Sequence, residues 1–322
     1  MKDALSVNRL AWRLLEVILR NADFCQVKVQ KIRKGATVID AGINAKGGFQ
    51  AGRLITEICM GGLGNARIIC RQYGSLELPS IFVYTDHPLI ATLGSQFAGW
   101  NIKGESFSAI GSGPARALAL RPGKIYEEIG YKDTSDRAII ILETEKFPSA
   151  ELIQRISKDC HVKPEKLAVI LTPTNSLVGA IQISGRVLET GIHKLRKVGL
   201  DSKTILSAWG CAPIPTLHPE FATAMARTND AILYGGTAFY TVNFEDENKL
   251  KEIVESAPSN ASKTFGTPFI EIFKAAKYDF YKIDPNLFAP AVVVVNNAKT
   301  GRVFLAGQIM PDILEKSFGY EK

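Results

Sequence analysis

Gln182, Arg186, Glu189 and His193 follow one another at spacings of four, three and four residues. At about 3.6 residues per turn, such spacing sets them in one stripe along a helix. Ile181, Leu188, Ile192 and Leu195 fall on another face and are expected to pack inward. A polar stripe of this kind reads in two ways. On a solvated face the Arg186–Glu189 pair contributes only about 0.3 kcal/mol. Facing a ligand, it carries chemistry. Gly185 and Gly191 favour the second reading, because glycine costs about 1 kcal/mol against alanine in a helix interior. Glycines persist at such places where a ligand or another helix presses on the backbone.

Other segments carry weaker chemical content. Gly111-Ser112-Gly113-Pro114-Ala115-Arg116 offers backbone N–H groups at a helix start, a hydroxyl and a guanidinium. That combination suits a phosphate or carboxylate, though a plain turn before a helix explains it equally. It lacks the G-K-[ST] ending of a Walker A loop. Gly47-Gly48 and Met60-Gly61-Gly62 bracket a short helical stretch. Thr85-Asp86-His87-Pro88 ends a strand and either caps a helix or projects polar groups into a cleft. Arg227-Thr228-Asn229-Asp230 is a further polar group, read as poised before a strand. No nucleophile elbow and no Cys–His pair stands close in sequence. This suits a reaction on an already activated electrophile, for which a positioned water and one carboxylate suffice.

The elements that must hold these residues alternate without a βαβ cadence. A helix is expected over 6–19 with Ser6 as its cap, then a hairpin of Val27–Ile32 and Ala36–Asp40 around Lys34-Gly35. A helix over 49–60 precedes strands at Arg67–Tyr73 and Ile81–Thr85. Arg137–Leu142 and Leu167–Leu171 read as strands, with a helix at Ser149–Lys158 between them. One long helix is expected from about Thr174 to Val198. Strands follow at Thr204–Ala208 and Ala231–Asn243, and helices at Glu247–Ser256 and Pro268–Ala276. A hairpin of Ala291–Asn296 and Arg302–Ala306 precedes a final helix at Pro311–Ser317. This mixture indicates α+β layers, not a Rossmann fold. The length of 322 residues favours two domains.

Composition narrows the function classes. Hydrophobic residues make up 46% and charged residues 22%, which excludes disorder and coiled coil as the main architecture. No apolar run approaches the roughly 20 residues of a bilayer span, and the N-terminal pattern is interrupted by Arg9, Arg13, Glu16 and Arg20. A protein without membrane or export address is expected. The five cysteines form no C-x-x-C pair and read as buried thiols of a reducing cytosol. The four histidines show no zinc spacing, so no metal is expected. The net charge of +7 is spread along the chain and accompanies no nucleic-acid-binding module. It favours an anionic small ligand or plain solubility.

Taken in order, these segments resemble one family. They include Ser6-Val7-Asn8, Gly47-Gly48-Phe49, Cys59-Met60-Gly61-Gly62-Leu63, Thr85-Asp86-His87-Pro88 and Ala98-Gly99-Trp100. Gly111–Leu118, Glu127–Tyr131, Arg186–Lys194, Arg227–Asp230, Tyr278–Pro285 and Phe288–Pro290 continue the pattern. The family is methenyltetrahydromethanopterin cyclohydrolase, and the resemblance covers nearly the whole chain. It implies a cytoplasmic homotrimer of one-carbon metabolism, in methane-forming archaea or methyl-oxidising bacteria, without a permanently bound cofactor. The tetrahydromethanopterin C1 carrier is then the substrate, the N5,N10-methenyl form being interconverted with the N5-formyl form by water. Two α+β domains facing each other across a large pocket are implied, and are placed at 86–199 and at 1–85 with 200–322.

The resemblance also implies that Arg186 and Glu189 are the catalytic pair, while His193 has no implied role. Gly185 departs from the family pattern, where a small residue such as alanine is expected. The methenyl carbon lies between two nitrogens sharing a positive charge, so it is electrophilic already. Glu189 would take the proton of the attacking water, and Arg186 would hold the carboxylate in place. Thr85, Asp86, Asn229 and Asp230 are candidate pterin contacts. Ser112, Gly113 and Arg116 are candidates for the phosphate and acidic tail. The alternative is a protein that binds a pterin or anionic metabolite without turning it over.

Overall fold

A computed structural model describes residues 5–32 and 35–321. The strands are β1 (Lys28–Lys31), β2 (Thr37–Asp40), β3 (Gly64–Tyr73), β4 (Leu76–Thr85), β5 (Trp100–Lys103) and β6 (Ser108–Ser112). They continue with β7 (Ala138–Glu143), β8 (Leu167–Leu171), β9 (Ile205–Pro213), β10 (Thr237–Val242), β11 (Val292–Asn297) and β12 (Val303–Gly307). The helices are α1 (Val7–Arg20), α2 (Phe49–Cys59), α3 (Pro88–Ala91), α4 (Ala115–Ala119), α5 (Gly123–Ile129) and α6 (Ala150–Asp159). After them come α7 (Leu177–Ser184), α8 (Val187–Lys197), α9 (Phe221–Gly235), α10 (Glu247–Glu255), α11 (Phe269–Ala275) and α12 (Pro311–Phe318). No helix among the described residues is long and apolar enough to cross a membrane.

The chain divides into two compact units. One is Met1–Asn65 with Leu89–Gln182, and the other is Ala66–Pro88 with Ile183–Lys322. Each is built on a mixed sheet, in the orders β1-β2-β8-β7-β6-β5 and β12-β11-β10-β9-β4-β3. The α+β expectation is met. The expected limits of 86–199 differ from those observed, because strand pairing decides membership. β2 lies parallel to β8, so the N-terminal segment shares a sheet with Leu167–Leu171. The crossover falls at Gln182/Ile183, not near Gly199.

In the first unit, β2, β8 and β7 run parallel at the centre. Their side chains alternate between two cores. Ile140, Leu142, Val169 and Leu171 pack with Leu152 and Ile156 of α6. Ile139, Ile141, Ala168 and Ile170 pack with Leu15 and Ile18 of α1 and with Ile55 and Ile58 of α2. Burial on both faces is why these strands read as unbroken apolar runs. Ser6 caps α1 by accepting from Arg9 N at 3.2 Å, and Ser149 caps α6 by accepting from Leu152 N at 3.2 Å. Asn8 anchors α1. Its Nδ2 donates to Asp133 Oδ2 at 2.7 Å and to Pro114 O at 2.8 Å, and its Oδ1 accepts from Ile139 N at 3.1 Å. The expected N-terminal hairpin forms from β1 and β2. Arg33 and Lys34 lie outside the described residues.

In the second unit, β10 runs parallel to β11 and antiparallel to β9, while β4 pairs antiparallel with β9. The C-terminal hairpin forms as expected from β11 and β12. Two expectations fail. Residues 221–235 form α9, so the expected strand over 231–243 shortens to β10. The run Ala231-Ile232-Leu233-Tyr234 has strand-like composition, but as part of α9 its Ala231, Leu233 and Tyr234 pack with residues of α11 and α12. The single helix expected from Thr174 to Val198 is two helices, α7 and α8, separated at Gly185-Arg186.

Candidate active site

The break at Gly185 sets the geometry of the Arg186–Glu189 pair. Arg186 leaves helical geometry, with φ −84° and ψ 5°, and occupies the position before the first turn of α8. Glu189 lies in that first turn, where the helix dipole favours a carboxylate. Lys194, Arg196 and Lys197 fall in the last turn, so the charges of α8 match its dipole at both ends. Arg186 and Glu189 are each only 8% exposed. A solvated polar face is therefore not what this segment forms. The expected inward face holds, with Leu188, Ile192 and Leu195 fully buried. Gln182 belongs to α7 and to the other unit, so it does not share a helix with the pair.

The glycines expected to admit a ligand mostly admit the protein itself. A Cβ on Gly191 would come within 2.0 Å of Tyr240 Oη, whose hydroxyl donates to Leu188 O at 3.0 Å. A Cβ on Gly52 would meet Ile181 at 2.6 Å, and one on Gly61 would meet Val7 at 2.6 Å. These positions are small because secondary elements cross there at close range. Tyr240 is the residue that sequence reading missed. Gly191 alone pointed to it.

The remaining candidates separate. Thr85 pairs with Ala208, and Val83 pairs with Gly210, on which Val187 and Leu188 of α8 rest. By strand alternation Thr85 and Val83 share a face, so Thr85 lies on the side of the sheet that carries α8. Its Oγ1 accepts from His87 N at 3.0 Å, the cap-like turn that the tetrad suggested. Asp86 is exposed beside it. Asn229, half-buried in α9, donates through Nδ2 to Met225 O at 2.9 Å.

Four candidates, Ser112, Gly113, Arg116 and Asp230, are built into the core. Arg116 is fully buried, and its guanidinium serves backbone carbonyls. Nε donates to Arg121 O at 2.8 Å, and Nη1 to Leu93 O at 3.2 Å and Ser95 O at 3.1 Å. Its Cζ lies 5.2 Å from the Phe97 ring centroid and 5.5 Å from that of Tyr126. Leu93 and Ser95 belong to a π-helical turn at Thr92–Gln96. Arg116 ties that turn to Arg121 and spends these donors on the fold. Ser112 and Gly113 beside it are buried too, and a Cβ on Gly113, at φ +90°, would lie 2.4 Å from Ile141 Cδ1. Ser112 and Gly113 thus form a core turn between β6 and α4.

Asp230 is likewise structural. Its Oδ1 accepts from Phe269 N at 2.9 Å and its Oδ2 from Ser317 Oγ at 2.6 Å, joining α9, α11 and α12. Burial pushes its carboxyl from the ordinary 3.8 up to about 7. A raised acid pKa means that the folded state holds a proton the unfolded chain has released. Its stabilising contribution is thus complete below about pH 4 and is lost as pH rises through about 7. Asp230→Asn is expected to gain in thermal midpoint relative to the parent as pH increases from 5 to 8. Melting curves across that range check this, and a constant difference between the two proteins would refute it.

A family model described as "Cyclohydrolase (MCH)" matches residues 6–318. The chain belongs to this family. It is 46% identical over 319 residues to a protein of Methanothermobacter marburgensis named methenyltetrahydromethanopterin cyclohydrolase, covering 98% of this chain and 99% of the relative. Proteins of the same name from Methanocaldococcus jannaschii and Methylobacillus flagellatus are 45% and 44% identical, each over 98% of this chain and over 99% and 96% of their own lengths. The likeness runs through both units. The resemblance read from the motifs is met at the level of the family.

Proposed function

We propose that the protein hydrates the N5,N10-methenyl form of tetrahydromethanopterin to the N5-formyl form and catalyses the reverse reaction. The observation that carries this reading is near-full-length identity of 46% to a relative bearing that name. The buried Arg186–Glu189 turn gives the reading its chemistry. A water oxygen attacks the methenyl carbon and passes a proton to the Glu189 carboxylate. The bond from that carbon to N10 then breaks, N10 takes the proton back from Glu189, and the hydroxyl proton leaves as the formyl C=O forms. The sum consumes one water and releases one proton. Arg186 holds the carboxylate and stabilises the developing oxygen charge. Thr85, Asp86 and Asn229 contact the pterin. No permanently bound cofactor takes part.

The protein works in the cytoplasm as a homotrimer. Self-association is supported by the outer face of the second sheet, where Leu305 is 67% and Trp209 39% exposed and Trp209 stacks on Phe239 at 5.3 Å. Loss of the ultraviolet absorbance of the methenyl form on adding purified protein tests the reaction. Binding without turnover would replace it with the reading as a non-catalytic pterin-binding protein. Sedimentation at micromolar concentration tests the trimer.

A further inference from the structure

Tyr240 stands in the middle of the second sheet, opposite Ala208 of β9 and Val295 of β11, and is fully buried. Its hydroxyl reaches out of the sheet and donates to Leu188 O at 3.0 Å. Gly191 leaves the space for that oxygen, since any Cβ there would lie 2.0 Å from it and 3.2 Å from Pro290 Cγ. A second glycine works from the opposite side of the contact. A Cβ on Gly210 of β9 would lie 2.9 Å from side-chain carbons of both Val187 and Leu188. One glycine on the helix and one on the strand therefore let the first turn of α8 rest directly on the sheet.

The acceptor matters as much as the distance. The carbonyl of Leu188 and the N–H of Glu189 belong to one planar peptide group. A donor fixed to that carbonyl fixes the plane from which the Cα of Glu189, and hence its side chain, projects. A hydrogen bond from within the helix would leave the turn free to tilt as a body. A bond from a buried sheet residue ties it to a rigid element.

We infer that Tyr240 is a positioning residue for the hydration step, holding the peptide of Glu189 in register with the sheet. Burial and the nearby charge of Glu189 keep the phenol well above its ordinary pKa, so it remains a donor. This inference rests on Glu189 being the base.

Tyr240→Phe keeps the ring and removes only the donor. It is expected to lower kcat about tenfold, the size of one lost buried hydrogen bond, with KM within about twofold. The same change in a Glu189→Gln background is expected to cost nothing further, because Tyr240 acts through Glu189. Gly191→Ala, which collides with the hydroxyl, is expected to depress the thermal midpoint. Adding Tyr240→Phe to it should restore the midpoint but not kcat. A Tyr240→Phe enzyme within twofold of wild-type kcat overturns the inference. An equal loss in the two backgrounds overturns it as well. So does recovery of kcat in the double variant, which would reduce Tyr240 to packing. Wild-type turnover by Glu189→Gln alone would instead overturn the assignment of the base. Should Tyr240→Phe not fold, the double variant with its filled space carries the same comparison.

Discussion

Glu189→Gln is expected to lower kcat by ~10²–10⁴-fold, the usual contribution of a positioned general base. Glutamine keeps the length and hydrogen-bonding shape of the side chain in the first turn of α8, so the fold and the pterin affinity should change little. Loss in kcat with nearly constant KM is the signature of an interaction made in the transition state alone. Arg186→Ala is expected to lower the rate too. Its effect and that of Glu189→Gln should not add, because one group holds the other. Steady-state rates from the methenyl absorbance, with binding measured separately, check both statements. A Glu189→Gln enzyme within about threefold of wild-type kcat would sink the mechanism and direct attention to Asp86 and His87, which are both exposed at the end of β4.

The second large effect concerns stability and reverses an expectation from the sequence. An anion-binding Arg116 would yield, on change to alanine, a stable protein with a raised KM for the phosphate-bearing substrate. The buried guanidinium gives a different outcome. Arg116→Ala removes three charged hydrogen bonds and leaves the carbonyls of Leu93, Ser95 and Arg121 without that donor. Such losses cost about 1–3 kcal/mol per orphaned group, so destabilisation of at least about 3 kcal/mol is expected. For a unit of this size the midpoint should fall by roughly 10 °C. Arg116→Lys should recover little of it, because an ammonium cannot reproduce the planar fork between Phe97 and Tyr126. Thermal melts decide the matter. A midpoint within about 2 °C of wild type, with KM raised only for substrate bearing the phosphate tail, would restore the anion-site reading.

Local patterns are legible where local physics sets the outcome. Ser6 and Ser149 cap their helices because the hydroxyl reaches an N–H three residues on, whatever lies elsewhere. Leu167–Leu171 is legible to the residue, because a strand buried on both faces leaves an unbroken apolar run. The C-terminal hairpin follows from two apolar runs joined by Asn297–Gly301. The Arg186–Glu189 spacing, and the motifs that place the chain in its family, also need no coordinates. By contrast, α9 is hidden, because a run such as Ile232-Leu233-Tyr234 suits a buried helix as well as a strand, and tertiary packing on α11 and α12 selects the helix.

What only the tertiary structure decided is which groups spend their polarity on the protein itself. Arg116 and Asp230 look, in sequence, like any polar residues beside a glycine or a helix end. Their partners lie 21 and 23 residues away at Ser95 and Leu93, and 39 and 87 residues away at Phe269 and Ser317. No local rule encodes such separations. The same holds for Gly191, whose small size announces a close neighbour without naming it. That neighbour, Tyr240, is 49 residues on in the chain, brought there because β10 lies at the centre of its sheet beneath α8. Residue types and spacing along the chain determined the chemistry the protein can attempt. Long-range packing determined which side chains remain to perform it, because a buried polar group must be satisfied by whatever the fold brings within reach.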